Sequence, residues 1–170
     1  MKVILYMATT LNGMIAKLDD DTSWISGAEW DQYSKIVRSA GHLIVGHRTY
    51  DILTKQPEFV EFKNVKVVVV ATKEVDLVDD SHKIATSPEA ALNLCEGAKE
   101  VVVAGGGILN AAFLEKRLVN EIYIDIEPII LGRGLPLFNG SDFVANLRLI
   151  DSQKIADNEI QLHFEVEKDK

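Results

Sequence analysis

Three consecutive glycines, Gly105-Gly106-Gly107, follow the β-branched run at 101–103 and precede an amphipathic helical pattern. A strand that ends this way and opens a helix brings backbone N–H groups and the positive end of a helix dipole to one point, which suits a phosphate. The missing side chains let a ligand reach the main chain, although the same glycines equally serve close packing of helix on sheet. Two other predicted strand ends carry cations: Gly46-His47-Arg48-Thr49 after the run 42–45, and Thr72-Lys73 at the end of "VVVVATK". In an open parallel sheet the carboxyl ends of the strands share one edge, where ligands bind. Arg48, Lys73 and the glycine run then converge on one polyphosphate; the alternative is that both cations are ordinary solvated surface charges. The common dinucleotide fingerprint is absent, because Asn110 stands where it needs glycine.

Alternating elements supply the sheet that would bring those ends together. "KVILYMA" at 2–8 predicts a buried strand, and a loop with an Asn12-Gly13 turn follows it. Ser26 begins a helix that Gly41 stops, residues 42–46 are the next strand, and residues 47–55 a short helix that Pro57 ends. Residues 65–72 form a third strand, too uniformly apolar for a face exposed to water. Ser87 caps a helix with Pro88 in its first turn and Gly97 at its end. Residues 100–107, 108–118 and 121–129 then read as strand, helix and strand. The tail from Phe143 to Glu167 predicts two longer strands joined at Asp157-Asn158, an antiparallel hairpin. The pattern predicts an α/β fold in three layers, α/β/α, with a mainly parallel central sheet closed by that hairpin.

With 170 residues, 47% of them hydrophobic, the chain is long enough to bury one core, so residues 1–170 are expected to form a single domain. No apolar run reaches membrane-spanning length, and "MKVILYM" is too short and too quickly polar for a signal peptide. A soluble, cytoplasmic protein is the expectation. The single cysteine, Cys95, lies on a helical apolar stripe and reads as a buried structural thiol. A net charge of -8 disfavours nonspecific binding to nucleic acid or anionic lipid. His42, His47, His82 and His163 are scattered without ligand spacing, so no metal site is expected.

The segments "MATTLNGMIA", "LIVGHRTYDIL", "VVVVATK", "TSPEAAL", "VVVAGGGILNAAFL" and "NEIYIDIEPIILGRGLPLF" follow one another in the order seen in the dihydrofolate reductase-like superfamily. That superfamily includes the reductase domain of riboflavin biosynthesis, and the ending "PIILGRGLPLF" resembles the riboflavin-type branch more than a standard dihydrofolate reductase. The resemblance implies an NADPH-dependent reductase, a homodimer as is usual in that branch. The apolar face of "EPIILGRGLPLF" is either a dimer contact or core. By position, the resemblance implies that Gly46, His47, Arg48 and Thr49 hold the cofactor phosphates from one side. Ala71, Thr72 and Lys73 would surround the adenosine 2′-phosphate, and Gly105, Gly106, Gly107, Ile108 and Leu109 the pyrophosphate. Ala8 and Ile15 would lie against the nicotinamide. A cationic pair at a strand edge also favours NADPH over NADH.

Reducing a C=N bond by hydride requires a proton on nitrogen, which a half-buried carboxyl bound to the heterocycle's N–H pair can assist. In folate reductases that carboxylate lies five residues after a tryptophan in the first helix, which by resemblance is Glu29 counted from Trp24. Tyr33, on the same helical face, takes the place of an aromatic on the substrate ring, and the resemblance adds Leu53 to the substrate site. Ser26-x-x-Glu29 is also a capping box, in which Glu29 needs only to bond its own helix terminus. Riboflavin-type reductases carry a similar "W-I-S/T-x-x-E", so Glu29 does not separate the two branches. Asp31 is a weaker substitute on the wet face. Asp125 is a second candidate for the substrate site, its alternative being the exposed face of an alternating strand.

Departures from both patterns bear on the substrate. The pyrimidine reductases carry an Asp-x-Pro after the "G-x-x-T" turn, where this chain has "TYDILTKQPEF", and a glutamate where Ala104 stands. The arginine that clamps the glutamyl carboxylate of folate has no counterpart, with Val65 in its place and only Lys63 and Lys66 nearby. The leading expectation is reduction of 7,8-dihydrofolate or a related dihydropterin. The alternatives are reduction of a ribosylaminopyrimidine 5′-phosphate in riboflavin biosynthesis, or a noncatalytic nucleotide-binding module.

Overall fold

A computed structural model of the chain describes residues 1–140 and 142–168. Strands run β1 (Lys2–Thr10), β2 (Met14–Ala16), β3 (His42–Gly46), β4 (Lys66–Val70), β5 (Lys83–Ala85), β6 (Glu100–Val103), β7 (Glu121–Glu127), β8 (Leu135–Pro136), β9 (Leu147–Ala156) and β10 (Glu159–Val166). Helices are α1 (Gly27–Ala40), α2 (His47–Leu53), α3 (Pro88–Leu94) and α4 (Gly107–Glu115), with a 3₁₀ helix at Pro57–Phe62. The main sheet has the order β5-β4-β3-β6-β1-β7-β10-β9. The strands from β5 to β7 in that order are parallel, and β10 and β9 add antiparallel at one edge.

The apolar strands are explained by cover on both faces. Alternate residues enter two cores. On one face Val3, Leu5, Val101 and Val103 pack with Ala91, Phe113 and Leu114 of α3 and α4. On the other, Tyr6, Val45, Val69 and Val102 pack with Tyr33 and Val37 of α1, Tyr50 of α2 and Phe62. The three-layer α/β arrangement and the closing hairpin are therefore as the sequence pattern implies, and Cys95 is buried in the first core.

Local differences have local causes. The expected strand at 100–107 stops at Val103, because Gly105 turns the chain with φ +85°. Gly107 then opens α4 one residue earlier than the pattern suggests. Pro57 does not merely end α2, which stops at Leu53, but starts the 3₁₀ helix, where its missing N–H costs no bond. β2, β5 and β8 span two or three residues each, too few to show a period. β2 and β8 pair as a separate two-stranded sheet.

The glycine run has more than one task. A Cβ on Gly107 would meet the Pro136 carbonyl oxygen at 2.4 Å, and one on Gly105 would meet Met7 Sδ at 3.0 Å. At Gly106 the nearest atom is Thr49 Oγ1 at 3.5 Å, an ordinary contact. Two of the three glycines thus serve close packing, and Gly106 leaves the main chain open. Gly107→Ala is accordingly expected to lower unfolding free energy by about 1–3 kcal/mol in urea denaturation. Gly27→Ala, where nothing lies within 4 Å, should cost nothing measurable. Equal losses would contradict the packing account.

Candidate active site

The carboxyl ends of β3, β4, β6 and β1 surround a cavity of about 970 Å³. All the site residues expected from the sequence line it except Gly105 and Asp125. Gly105 lies just behind the wall, its carbonyl accepting the Gly46 N–H at 2.8 Å and so tying the β3 and β6 ends together. The first N–H groups of α4 have no acceptor within the helix, and its N-cap, Gly106, offers no side-chain bond. Among the described residues no bond is donated by the main-chain N–H groups of residues 106–109 at this end of the cavity, which lies beside Arg48, Thr72 and Lys73. Lys73 is exposed, while Arg48 donates to Asp20 at 2.6 Å. The segment 71–73 is anchored at its start, where the Ala71 N–H donates to the Ala85 carbonyl at 2.9 Å; farther along, the Tyr50 hydroxyl accepts the Val78 N–H at 2.9 Å while pairing with His82 Nδ1 at 2.8 Å.

The other half of the cavity is built by α1. Glu29 and Tyr33, one turn apart, both face inward and both are buried. Among the described residues nothing hydrogen-bonds the Glu29 carboxyl, and the Tyr33 hydroxyl has no partner either. Buried polar groups without partners are rare in native structures and mark sites where a ligand completes the set. The capping box is only half formed. Ser26 Oγ accepts the Glu29 N–H at 3.1 Å, but the Ser26 N–H donates to Glu127 at 2.8 Å and its hydroxyl to Glu159 at 2.6 Å. Glu127 does what Glu29 does in a complete box, and this leaves the Glu29 carboxyl to the cavity.

Asp125 corrects one expectation. It lies on no exposed face but is 1% accessible, and it does not touch the cavity. Tyr6, which does line the cavity, donates its hydroxyl to Asp125. Gln161 Nε2 in turn reaches Tyr6 at 3.3 Å, and Gln153 Nε2 donates to Gln161 at 2.8 Å. Glu29, Asp125, Glu127 and Glu159 therefore gather under one end of the cavity. Burial pushes the Glu29 carboxyl well above the usual range, and the charges of Asp125, Glu127 and Glu159 push the same way. Burial also raises Asp125 to about 6, against the opposing hydrogen bond from Tyr6. Asp31 is exposed, as expected. Tyr6, Trp30, Gln56, Glu58, Leu135 and Pro136 line the cavity without having been singled out in the sequence.

A model of the RibD C-terminal domain matches residues 1–161. The chain belongs to the RibD C-terminal domain family. It is 28% identical to the uncharacterized protein YwjB of Bacillus subtilis over 96% of this chain and 97% of that one. A dihydrofolate reductase of Staphylococcus haemolyticus is 27% identical over 75% of this chain and 74% of its own. Among solved structures, a putative riboflavin biosynthesis protein from Shewanella superposes with a TM-score of 0.79 at 20% identity, covering 99% of this chain and all of that one. The Thermotoga maritima diaminohydroxyphosphoribosylaminopyrimidine deaminase/5-amino-6-(5-phosphoribosylamino)uracil reductase gives 0.74 at 19% identity, over 97% of this chain and 56% of that one. These likenesses establish the fold.

Within this RibD C-terminal domain the described residues hold no group of His, Cys, Asp or Glu able to bind a metal, and no helix long and apolar enough to cross a membrane. Lys63 and Lys66 lie outside the cavity and Val65 is buried, so no cation stands in for a folate clamp there.

The folded protein holds a proton on Asp125 up to about pH 6 that the unfolded chain releases near its ordinary value, about two units lower. Its contribution to stability is complete below about pH 4 and is lost as pH rises through about 6. Asp125→Asn should therefore flatten the fall in unfolding free energy between pH 4 and pH 7 by roughly 2–3 kcal/mol. Chemical denaturation of both proteins at the two pH values measures this; an unchanged slope would contradict the burial of an ionisable Asp125.

Proposed function

We propose that this RibD C-terminal domain is an NADPH-dependent reductase of a planar nitrogen heterocycle, of the aminopyrimidine class before the folate class. Family membership supports the aminopyrimidine reading, and the missing glutamyl clamp weighs against dihydrofolate. The observation that carries the reductase reading is the Glu29–Tyr33 pair, two buried polar groups without protein partners on the wall of a cavity that also presents free main-chain donors. A module that only bound a nucleotide would have no need of that pair.

The donors of the α4 N-terminus and Gly106 fit a pyrophosphate, and Lys73 with Thr72 fits the further phosphate that distinguishes NADPH. Ala8 and Ile15, small and apolar between the two halves, fit the face of a nicotinamide. When bound, NADPH supplies the hydride that adds to the carbon of a C=N bond. The protein's own residues manage the nitrogen. The Glu29 carboxyl holds the N–H edge of the heterocycle and, protonated by its surroundings, passes a proton to the ring or imine nitrogen as the hydride arrives. Tyr33 and Trp30, their rings 5.6 Å apart, flank the heterocycle, and Leu53 closes the same side.

Glu29→Gln should lower kcat/KM for NADPH oxidation about 10²–10⁴-fold while leaving NADPH affinity unchanged. Retained turnover would return Glu29 to the helix terminus. Lys73→Ala should weaken NADPH binding about tenfold and NADH binding hardly at all, measured by fluorescence titration. Equal loss for both cofactors would remove Lys73 from the 2′-phosphate.

A further inference from the structure

The charges lining the cavity are divided by sign. Its basic groups, Arg48 and Lys73 with His47, all sit at the ends of β3 and β4, in the half assigned to the cofactor. Arg48 is already engaged by Asp20. The half built by α1 and the 3₁₀ helix presents Glu29 and Glu58, and among the described residues no Lys or Arg of either element reaches the cavity. Arg38, the cation of α1 nearest the 3₁₀ helix in contact, is paired with Glu61. Asp125, Glu127 and Glu159 stand behind Glu29, each close enough to act on its charge. Tyr6 and Tyr33 separate this cluster from the cavity with phenols rather than with a cation.

We infer that the substrate half of the cavity selects a heterocycle without a phosphate or carboxylate arm, taken up in its neutral or N-protonated form. The inference deepens the reductase reading and rests on it for the division into cofactor and substrate halves. A phosphate dianion placed beside Glu58 would meet like charge, and among the described residues no Lys or Arg of α1 or the 3₁₀ helix lines the cavity to offset it. An amidine or imine nitrogen gains in the same field: its protonated form is stabilised by the carboxylates, and a C=N⁺ carbon accepts hydride more readily. Hydride then adds to carbon and the C=N π pair becomes the nitrogen lone pair; the proton on nitrogen is the one Glu29 passes to a neutral substrate, or the one an N-protonated substrate already carries. The absence of Asp-x-Pro after α2 agrees with the absence of a phosphate to be held there.

Two matched pairs test this: 5-amino-6-(5-phosphoribosylamino)uracil against its dephosphorylated nucleoside, and 7,8-dihydrofolate against 7,8-dihydropterin. Affinity for the protein saturated with NADP⁺ is measured by calorimetry, and NADPH oxidation is followed separately. In a pair that binds, the uncharged member is expected to bind at least about tenfold more tightly, and the gap to narrow in 0.5 M salt. Glu58→Lys should narrow it further, by at least about threefold. Equal or tighter binding of the anionic member in either pair, or binding by no member of either pair, overturns the inference. Binding of an uncharged member without NADPH oxidation would contradict the reductase reading and leave the charge selection standing.

Discussion

The α1 end of the cavity depends on how Ser26 is held. Its N–H and hydroxyl are both given to carboxylates of the sheet, Glu127 and Glu159, while its oxygen caps α1 through the Glu29 N–H. One residue thus fixes the start of the helix, docks it against β7 and β10, and frees the Glu29 carboxyl from the role its sequence position suggests. Charge-assisted bonds of this kind are strong and directional. If α1 were capped in the ordinary reciprocal way, Glu29 would turn back on its own terminus and the cavity would lose its one unengaged buried acid.

That anchor has an electrostatic consequence. Holding α1 with sheet carboxylates concentrates acidic groups at one place, and burial leaves them little water for screening. Burial and the neighbouring carboxylates both favour the protonated form of Glu29, the form a proton donor to nitrogen needs. The same crowding discourages anions. The proposed proton supply and charge selection thus share one cluster with the helix anchor, while the opposite end of the cavity is built separately from the ends of β3, β4 and β6.

The architecture was legible because its signals are local and long enough to repeat: apolar runs for β1, β3, β4, β6 and β7, and Ser26 with Gly41 as caps of α1. β2, β5 and β8 were not legible, being shorter than one period of any pattern. The gathering of Gly46, Arg48, Lys73 and Gly106 at one end of the cavity was legible for the same reason, since each lies at or just past the end of a strand. Asp125 was not. Alternation along "YIDIE" correctly puts Asp125 and Glu127 on one face, but whether that face is wet depends on α1 lying over it and on Gln161 standing opposite Asp125 across the β7–β10 pairing. Tyr6 escaped notice because in sequence it is one more apolar residue of a buried strand. Only the fold shows that it lines the cavity while its hydroxyl donates to Asp125.

The account stands on Glu29 being a buried acid at the cavity wall whose surroundings raise its affinity for a proton. The direct measurement is a carbon-13 NMR titration of glutamate side-chain carboxyls in the protein without ligands, with the Glu29 resonance assigned by its loss in Glu29→Gln. Glu29 is predicted to titrate well above every exposed glutamate. Ionisation in the ordinary carboxylate range would contradict the account, because it would show that burial and the neighbouring carboxylates do not act on Glu29.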